Sequence, residues 1–168
     1  MHIDIDSFGA PFECPPARVD PAWIDYNGHL NMAYYNVLFD QGLDAAYDAL
    51  GIGEGYLEES GCSHFTLEVH VSYLREVHLD HPLRITWQLL DWDHKRLHFF
   101  ESMYHAEEGW LAATSEQLAI HVDMGTRRSA PFSEAMQARF EAVMARHGAL
   151  DVPERAGRRI GIERRPSA

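Results

Sequence analysis

The sequence has little cysteine and no long hydrophobic run, and each scarcity excludes a class of protein. Its two cysteines, Cys14 and Cys62, lie far apart. That spacing argues against a disulfide scaffold or a metal-binding knuckle and fits a reducing compartment. No uncharged apolar stretch approaches the roughly 18 residues that span a bilayer. Residues 1–13 are acidic, whereas a secretory signal is basic and then apolar. We therefore expect a cytoplasmic protein.

Positive charge is also scarce, since 14 lysines and arginines face 26 aspartates and glutamates, for a net charge of −12. This surplus disfavours binding to nucleic acid or anionic lipid over most of the surface. The exception is a basic C-terminal tail, predicted at residues 149–168. Its arginines are Arg155, Arg158, Arg159, Arg164 and Arg165. Such a tail is either solvated or docks on an anionic partner.

The chain lacks internal repeats and any linker that would divide it. Its 168 residues, 46% of them hydrophobic, suffice for one domain with a buried core. We place that domain at residues 16–148, after an irregular lead-in at residues 1–15. A short strand is predicted at residues 18–20, where Pro21 ends it.

Residues 31–50 carry the helical period. Their apolar side chains recur at spacings of three and four and form one stripe: Met32, Tyr35, Leu38, Phe39, Leu43, Ala46, Tyr47 and Leu50. Asn31 is a good N-cap, and Gly51 follows the last periodic residue. The pattern predicts one long helix that is largely enclosed.

After Gly61 the period becomes two. The alternating residues Phe65, Leu67, Val69, Val71 and Tyr73 predict a strand with one buried face. Further strands are predicted at 83–89, 97–104 and 110–124, followed by a helix that Ser133 caps. An antiparallel sheet of about five strands, one long helix and a C-terminal helix make an α+β fold. Its open sheet edges could pair in a symmetric dimer.

The segment before the long helix, residues 23–35 (WIDYNGHLNMAYY), carries the chemistry. Four polar side chains fall within seven residues: Asp25, Asn27, His29 and Asn31. Gly28 lets the backbone turn sharply, and the helix start offers N–H groups that attract negative charge. A carboxylate beside such a helix end suits acyl transfer or thioester hydrolysis. Capping and Asx-turn hydrogen bonds would explain the same residues without catalysis.

The run DYNGHLNMAYY at residues 25–35 resembles the active-site segment of the 4-hydroxybenzoyl-CoA-thioesterase-like branch of hot-dog enzymes. Farther along, AIHVD at residues 119–123, then Thr126-Arg127-Arg128 and Pro131, resembles that branch's last strand and its exit. Each motif is loose by itself, whereas the two in this order are fairly specific. The resemblance covers residues 16–145. It implies a hot-dog fold, in which the sheet wraps around the long helix.

The resemblance assigns the catalytic carboxylate to Asp25, three positions before Gly28. It assigns the backbone N–H that polarises the thioester carbonyl to the helix start, near Met32. Asp25 would attack the thioester or act as general base towards water, and the sequence leaves both routes open. The resemblance further implies an acyl-CoA substrate, a site at a homodimer interface, and dimers that can pair into tetramers. It implies no metal and no organic cofactor, because CoA belongs to the substrate. The basic tail would reach the CoA phosphates or a neighbouring subunit.

Other polar residues are secondary candidates. His29 could transfer a proton, orient Asp25 or hold the loop. The residues expected near the substrate are Asn27, Gly28, Asn31 and Tyr34. Glu68 is a weaker candidate for a substrate contact, because alternation places it with Thr66 and His70 on the polar face.

The eleven histidines match no metal-ligand spacing such as HExxH, so we predict no metal site. Among them, His98, His105 and His121 are expected to be scattered and half-buried or exposed.

Two stretches resemble thioesterases of carnitine and betaine breakdown: TLEVHVSYLREV at residues 66–77 and DWDHKRLH at residues 91–98. This resemblance implies an acyl group that carries a trimethylammonium, as in betainyl-CoA. Aromatic rings and a carboxylate would suit that cation.

Two alternatives stay open at this point. Hot-dog enoyl-CoA hydratases also use an Asp, Asn and His cluster, but their His usually lies one position further from the Asp than His29 lies from Asp25. A non-catalytic acyl-CoA-binding domain could keep the fold and lose the chemistry. The acidic residue at the expected position argues against that loss.

Overall fold

The computed structural model describes residues 5–162, apart from the side chain of Asp6. The helices are α1 (Met32–Leu50), α2 (Glu54–Ser60) and α3 (Glu134–His147). The strands are β1 (Phe12–Glu13), β2 (Cys62–Tyr73), β3 (Leu83–Trp92), β4 (Arg96–His105), β5 (Leu111–Asp123) and β6 (Arg128–Ser129). They form one antiparallel sheet in the order β1-β3-β4-β5-β2, with β6 paired to β5. The predicted α+β class is confirmed.

Helix α1 begins and ends where the sequence predicts. Asn31 Oδ1 accepts a hydrogen bond from Ala33 N–H at 3.0 Å, and Gly51 ends the helix in the left-handed region at φ 77°. The predicted apolar stripe is buried except at Met32, which is 65% exposed at the helix start. Within residues 5–162, no helix combines the length and apolarity that a membrane crossing needs.

The first strand and helix α2 depart from the prediction. Strand β1 lies at Phe12–Glu13, and residues 18–20 form no strand. Asp20 Oδ1 instead accepts a hydrogen bond from Ala22 N–H at 2.8 Å and caps a 3₁₀ turn at Pro21–Trp23. Helix α2 has only seven residues, too few for a helical period to show in the sequence.

The predicted alternation along β2 is interrupted by a β-bulge at Leu67, where the register with β5 shifts. An extra residue exchanges the faces on either side of it. Beyond the bulge, Val69 and Tyr73 face α1 as predicted, because their partners on β5 are buried. Before the bulge, Thr66 lies on the side of the sheet that faces α1, and Phe65 lies on the opposite, outer side. The prediction that Phe65 shares a face with Val69 and Tyr73 is therefore wrong.

The helix-facing side of β2 is only partly covered. Helix α1 packs against β3 and β5, and Val69 and Tyr73 on β2 remain 45% and 42% exposed. Val37 on α1 is 38% exposed as well. The helix is therefore not enclosed within one chain, and an apolar strip beside it stays open.

A buried carboxyl group lies between α1 and the sheet. Glu101 on β4 is fully buried and accepts a hydrogen bond from Gln117 Nε2 at 2.8 Å. Gly42 provides the space on the helix, since a Cβ there would lie 3.2 Å from Glu101 Oε1. Burial raises the pKa of Glu101 well above its usual value, which favours the protonated carboxyl group.

We expect the stability of Glu101→Gln relative to the wild type to increase as pH rises. The unfolded glutamate ionises near 4.5 while the folded one stays protonated, so the folded state holds an extra proton above that pH. The wild-type free energy of unfolding then falls by up to about 1.4 kcal/mol per pH unit, until the folded pKa is reached. Urea denaturation of both proteins at several pH values measures the difference. Equal pH slopes would contradict the buried, protonated state.

Candidate active site

The loop before α1 is closed by backbone hydrogen bonds. Asp25 N–H donates to His29 O and Gly28 N–H donates to Asp25 O, both at 3.0 Å. Asn31 N–H donates to Trp23 O, also at 3.0 Å, which joins the two ends. Gly28 adopts φ 83°, in the left-handed region that favours glycine. The loop is therefore a compact turn that presents Asp25 beside the helix start.

The Asp25 carboxylate is held but still accessible. Its Oδ1 accepts a hydrogen bond from Asn27 N–H at 2.8 Å, and its side chain is 15% exposed. This bond forms the Asx turn that the sequence offered as a non-catalytic explanation for Asp25. It employs Oδ1 and fixes the orientation of the carboxylate, which a catalytic group also requires.

Asp25 and the start of α1 line one cavity of about 480 Å³. Met32 is the first helical residue, and the N–H groups of a first turn have no intrahelical acceptor. Asn31 satisfies the N–H of Ala33 through its side chain. The cavity therefore joins a carboxylate to a helix end whose dipole favours negative charge. Its other lining residues are Tyr26, His29, Leu30, Asn31, Tyr35, Tyr73, Leu74, Arg75 and Glu76.

His29 lies between two carboxylates. Its Nδ1 is 4.0 Å from Asp25 Oδ1, and its Nε2 is 4.0 Å from Glu76 Oε1. These distances exceed hydrogen-bond length, so His29 is near both groups without being bonded to either. The direct role of this ring in proton transfer stays a prediction.

Glu76 is a site residue that the sequence reasoning missed. It belongs to the loop that follows β2, within the stretch at residues 66–77 that resembles thioesterases of carnitine and betaine breakdown, but the sequence analysis gave it no role. The structure brings that loop to the Asp25 turn through two contacts. Leu30 N–H donates to Val77 O at 2.7 Å, and His78 Nδ1 lies 3.1 Å from Gly28 O. Only the tertiary pairing of the two loops reveals this carboxylate.

The tyrosines divide into two groups. Tyr34, predicted to line the substrate pocket, instead stacks on Trp23 with ring centroids 5.3 Å apart and does not line the cavity. Tyr35 and Tyr73 do line it and meet edge to face at 5.1 Å. Tyr73 donates a hydrogen bond to Met32 O at 3.0 Å, which fixes its ring beside the helix start. Asn27 and Gly28 shape the turn. Both residues are exposed, and neither lines the cavity.

Glu68 lies on the opposite side of the sheet from α1, with His70, as strand parity predicts beyond the bulge. It lines a second cavity of about 540 Å³, between the sheet and the C-terminal segment, residues 149–162. That segment crosses the outer face, where Gly157 N–H donates to both Glu116 oxygens at 2.8 and 3.0 Å. Arg158 and Arg159 line this cavity too, whereas Arg164 and Arg165 lie outside the described residues.

Two of the strand histidines are more buried than predicted. His105 and His121 are 4% and 1% exposed, whereas His98 is half-buried and lies 2.8 Å from Glu116 Oε1. His121 is held by Ala130 O at 2.9 Å and by the Tyr56 hydroxyl at 3.0 Å. Alternation was a poor guide here, because Tyr56 of α2 and Phe132 before α3 cover His121, while His81 and Trp110 pack against His105.

Comparison with known proteins identifies the family of the chain. The model of the thioesterase-like superfamily matches residues 19–140. Betainyl-CoA thioesterase of Pseudomonas aeruginosa is 42% identical over 142 residues, which cover 84% of this chain and 89% of that protein. A Staphylococcus aureus protein solved in complex with CoA superposes with a TM-score of 0.84 at 30% identity, over 91% of this chain and 96% of that one.

Other relatives are longer. The L-carnitine dehydrogenase/betainyl-CoA thioesterase of Rhizobium meliloti is 37% identical over 160 residues, or 95% of this chain. The match covers 32% of that protein, so the chain spans about a third of its length.

Proposed function

Because the chain belongs to the thioesterase-like superfamily, we propose that its Asp25 cavity hydrolyses a small acyl-CoA thioester, with betainyl-CoA as the preferred substrate. The observation that carries the proposal is the shared cavity of Asp25 and the first turn of α1. A carboxylate supplies the base or nucleophile, and the helix start stabilises the oxyanion that forms on the thioester carbonyl.

The family and the fold expected from the sequence are confirmed. The superfamily model spans most of the chain, and the architecture matches that of the structural relatives. The thioester-hydrolase class predicted for the chain is confirmed at the level of this family. The choice of betainyl-CoA rests on the named relatives and on a cavity that combines tyrosines with two carboxylates.

The proposed chemistry needs only the substrate, water and groups of this chain. Asp25 either attacks the thioester carbon or removes a proton from the attacking water. In both routes the C–S bond breaks and the CoA sulfur takes up a proton. When Asp25 attacks, the acyl group is first held on Asp25 as a mixed anhydride, which water then hydrolyses to the free acid and the Asp25 carboxylate; when Asp25 acts as base, water attacks the thioester carbon and gives the free acid directly. The N–H of Met32 is the proposed donor to the developing oxyanion. No metal and no organic cofactor takes part in either route.

We also propose that the enzyme is a homodimer, or a dimer of such dimers, formed through β2. This strand of twelve residues pairs with β5 along one edge and lies at the end of the sheet order. Leu67, Val69 and Tyr73 are exposed on it, and the last two lie on the side that faces α1. A long, apolar, unpaired edge is unusual on a monomer, and a two-fold copy would cover it. A cytoplasmic location fits the two free cysteines.

A panel of CoA thioesters with a thiol-release readout tests this function. We expect free thiol from betainyl-CoA at the highest kcat/KM, and lower values from acetyl-CoA and butyryl-CoA. Water addition to crotonyl-CoA without thiol release would favour the hydratase alternative. Binding of acyl-CoA with no thiol release across the panel would favour a non-catalytic domain.

A further inference from the structure

We propose that Glu76 is the residue that selects thioesters whose acyl group ends in a quaternary ammonium. The inference rests on the proposed thioesterase function and names the recognition group within the same cavity. Asp25 cannot serve as that group, because a carboxylate that is paired with the cation is not free to attack or to accept a proton. Glu76 is the other carboxylate of the lining.

The charge of the cavity favours a cationic acyl group. Asp25 and Glu76 are its two acidic residues, and Arg75 is the only arginine or lysine among its lining residues. The Arg75 guanidinium lies over the ring of Trp110, 5.5 Å from its centroid. The Glu76 side chain is 69% exposed and 4.0 Å from His29, so its carboxylate remains available to a ligand.

The separation of the two carboxylates fits the size of a betainyl group. His29 is 4.0 Å from each, and its two ring nitrogens are about 2.2 Å apart, so Asp25 and Glu76 oxygens lie at most about 10 Å apart. In a betainyl thioester about 2.5 Å separate the carbonyl carbon from the ammonium nitrogen. The attacking Asp25 oxygen would lie about 3 Å from the carbonyl carbon, and the Glu76 oxygen about 4.5 Å from the ammonium nitrogen. Together with the length of the acyl group, these distances give a similar span between the two carboxylates. One acyl group can therefore contact both carboxylates.

Aromatic rings in the same cavity lining complete the environment. Tyr35 and Tyr73 meet edge to face, and both hydroxyls contact backbone groups of the surrounding loops and helix. Their rings are thereby fixed in the cavity wall. Fixed aromatic rings attract a trimethylammonium through their negative faces, and a nearby carboxylate adds to that attraction.

A different role for Glu76 would be to position His29. The two roles predict different kinetics, because a group that acts through His29 would affect every substrate equally. The matched probe for betainyl-CoA is 3,3-dimethylbutyryl-CoA, which has the same shape but carries carbon in place of the charged nitrogen. The ratio of kcat/KM for the two thioesters isolates recognition of the charge.

The test measures both thioesters with the wild type, Glu76→Gln and the control Glu58→Gln, which removes an exposed charge on α2. We expect Glu76→Gln to lower kcat/KM for betainyl-CoA by at least about fivefold and to change the neutral probe by less than about twofold. Glu76→Lys should lower the ratio further. Glu58→Gln should leave it unchanged.

Equal losses on both thioesters, or an unchanged ratio, would overturn the role of Glu76 while leaving the thioesterase function intact. A wild-type protein that hydrolyses neither thioester would contradict the function itself, and with it this inference.

Discussion

Asp25→Asn is expected to lower kcat by at least about 10²-fold on every thioester that the wild type hydrolyses. The amide neither attacks a carbonyl nor accepts a proton at neutral pH. Its oxygen can still accept the hydrogen bond from Asn27 N–H that Asp25 Oδ1 receives at 2.8 Å. The turn should therefore persist, and the loss should fall on kcat more than on thermal stability.

Asp151→Asn is the matched control, because Asp151 is an exposed acid on the C-terminal segment, which crosses the outer face of the sheet. It removes the same charge and should leave kcat within about twofold. A near-normal rate for Asp25→Asn would shift the role of base to His29, 4.0 Å away. A loss of activity accompanied by unfolding would instead assign Asp25 a structural role.

Val69→Asp is expected to dissociate the proposed dimer and to raise its dissociation constant by at least about 10²-fold. Val69 lies on the helix-facing side of the end strand β2 and is 45% exposed in one chain. In a two-fold dimer formed through this strand, Val69 of each subunit would be buried at the interface. The substitution would therefore place two unpaired carboxylates in an apolar seam. Sedimentation velocity at several protein concentrations measures the effect.

Val152→Asp makes the same change at a residue of the C-terminal segment that is 71% exposed, and it should leave the oligomer intact. Activity should fall in step with the dimer for Val69→Asp, because the acyl pocket is proposed to use both subunits. A wild-type monomer with full activity would contradict the interface. A Val69→Asp dimer as tight as the wild type would contradict it as well.

Most elements of the fold could be predicted from interactions between residues that are close in the sequence. The apolar stripe, the Asn31 cap and the Gly51 stop determine α1 through contacts between near neighbours in the chain. Ser133 marks the start of α3 in the same way, since its side chain accepts a hydrogen bond from Met136 N–H. The Asp25 turn was also predictable from the sequence, because its hydrogen bonds join residues that are at most eight positions apart.

Features that depend on distant contacts were not predictable. The bulge at Leu67 has no composition signal, since the register between β2 and β5 is a property of the pair. Glu76 reaches the site only because its loop pairs with the Asp25 turn. The position of Tyr34 outside the cavity lining was not predictable for a related reason, as its stacking on Trp23 depends on the entry path of the chain into α1.

The decisive measurement is steady-state thiol release from betainyl-CoA by the wild type and Asp25→Asn at equal concentrations of folded protein. The proposed site predicts one free CoA per betaine formed by the wild type, and a kcat at least about 10²-fold lower for the variant. Thiol release at equal rates by the two proteins, or none by the wild type, would contradict it.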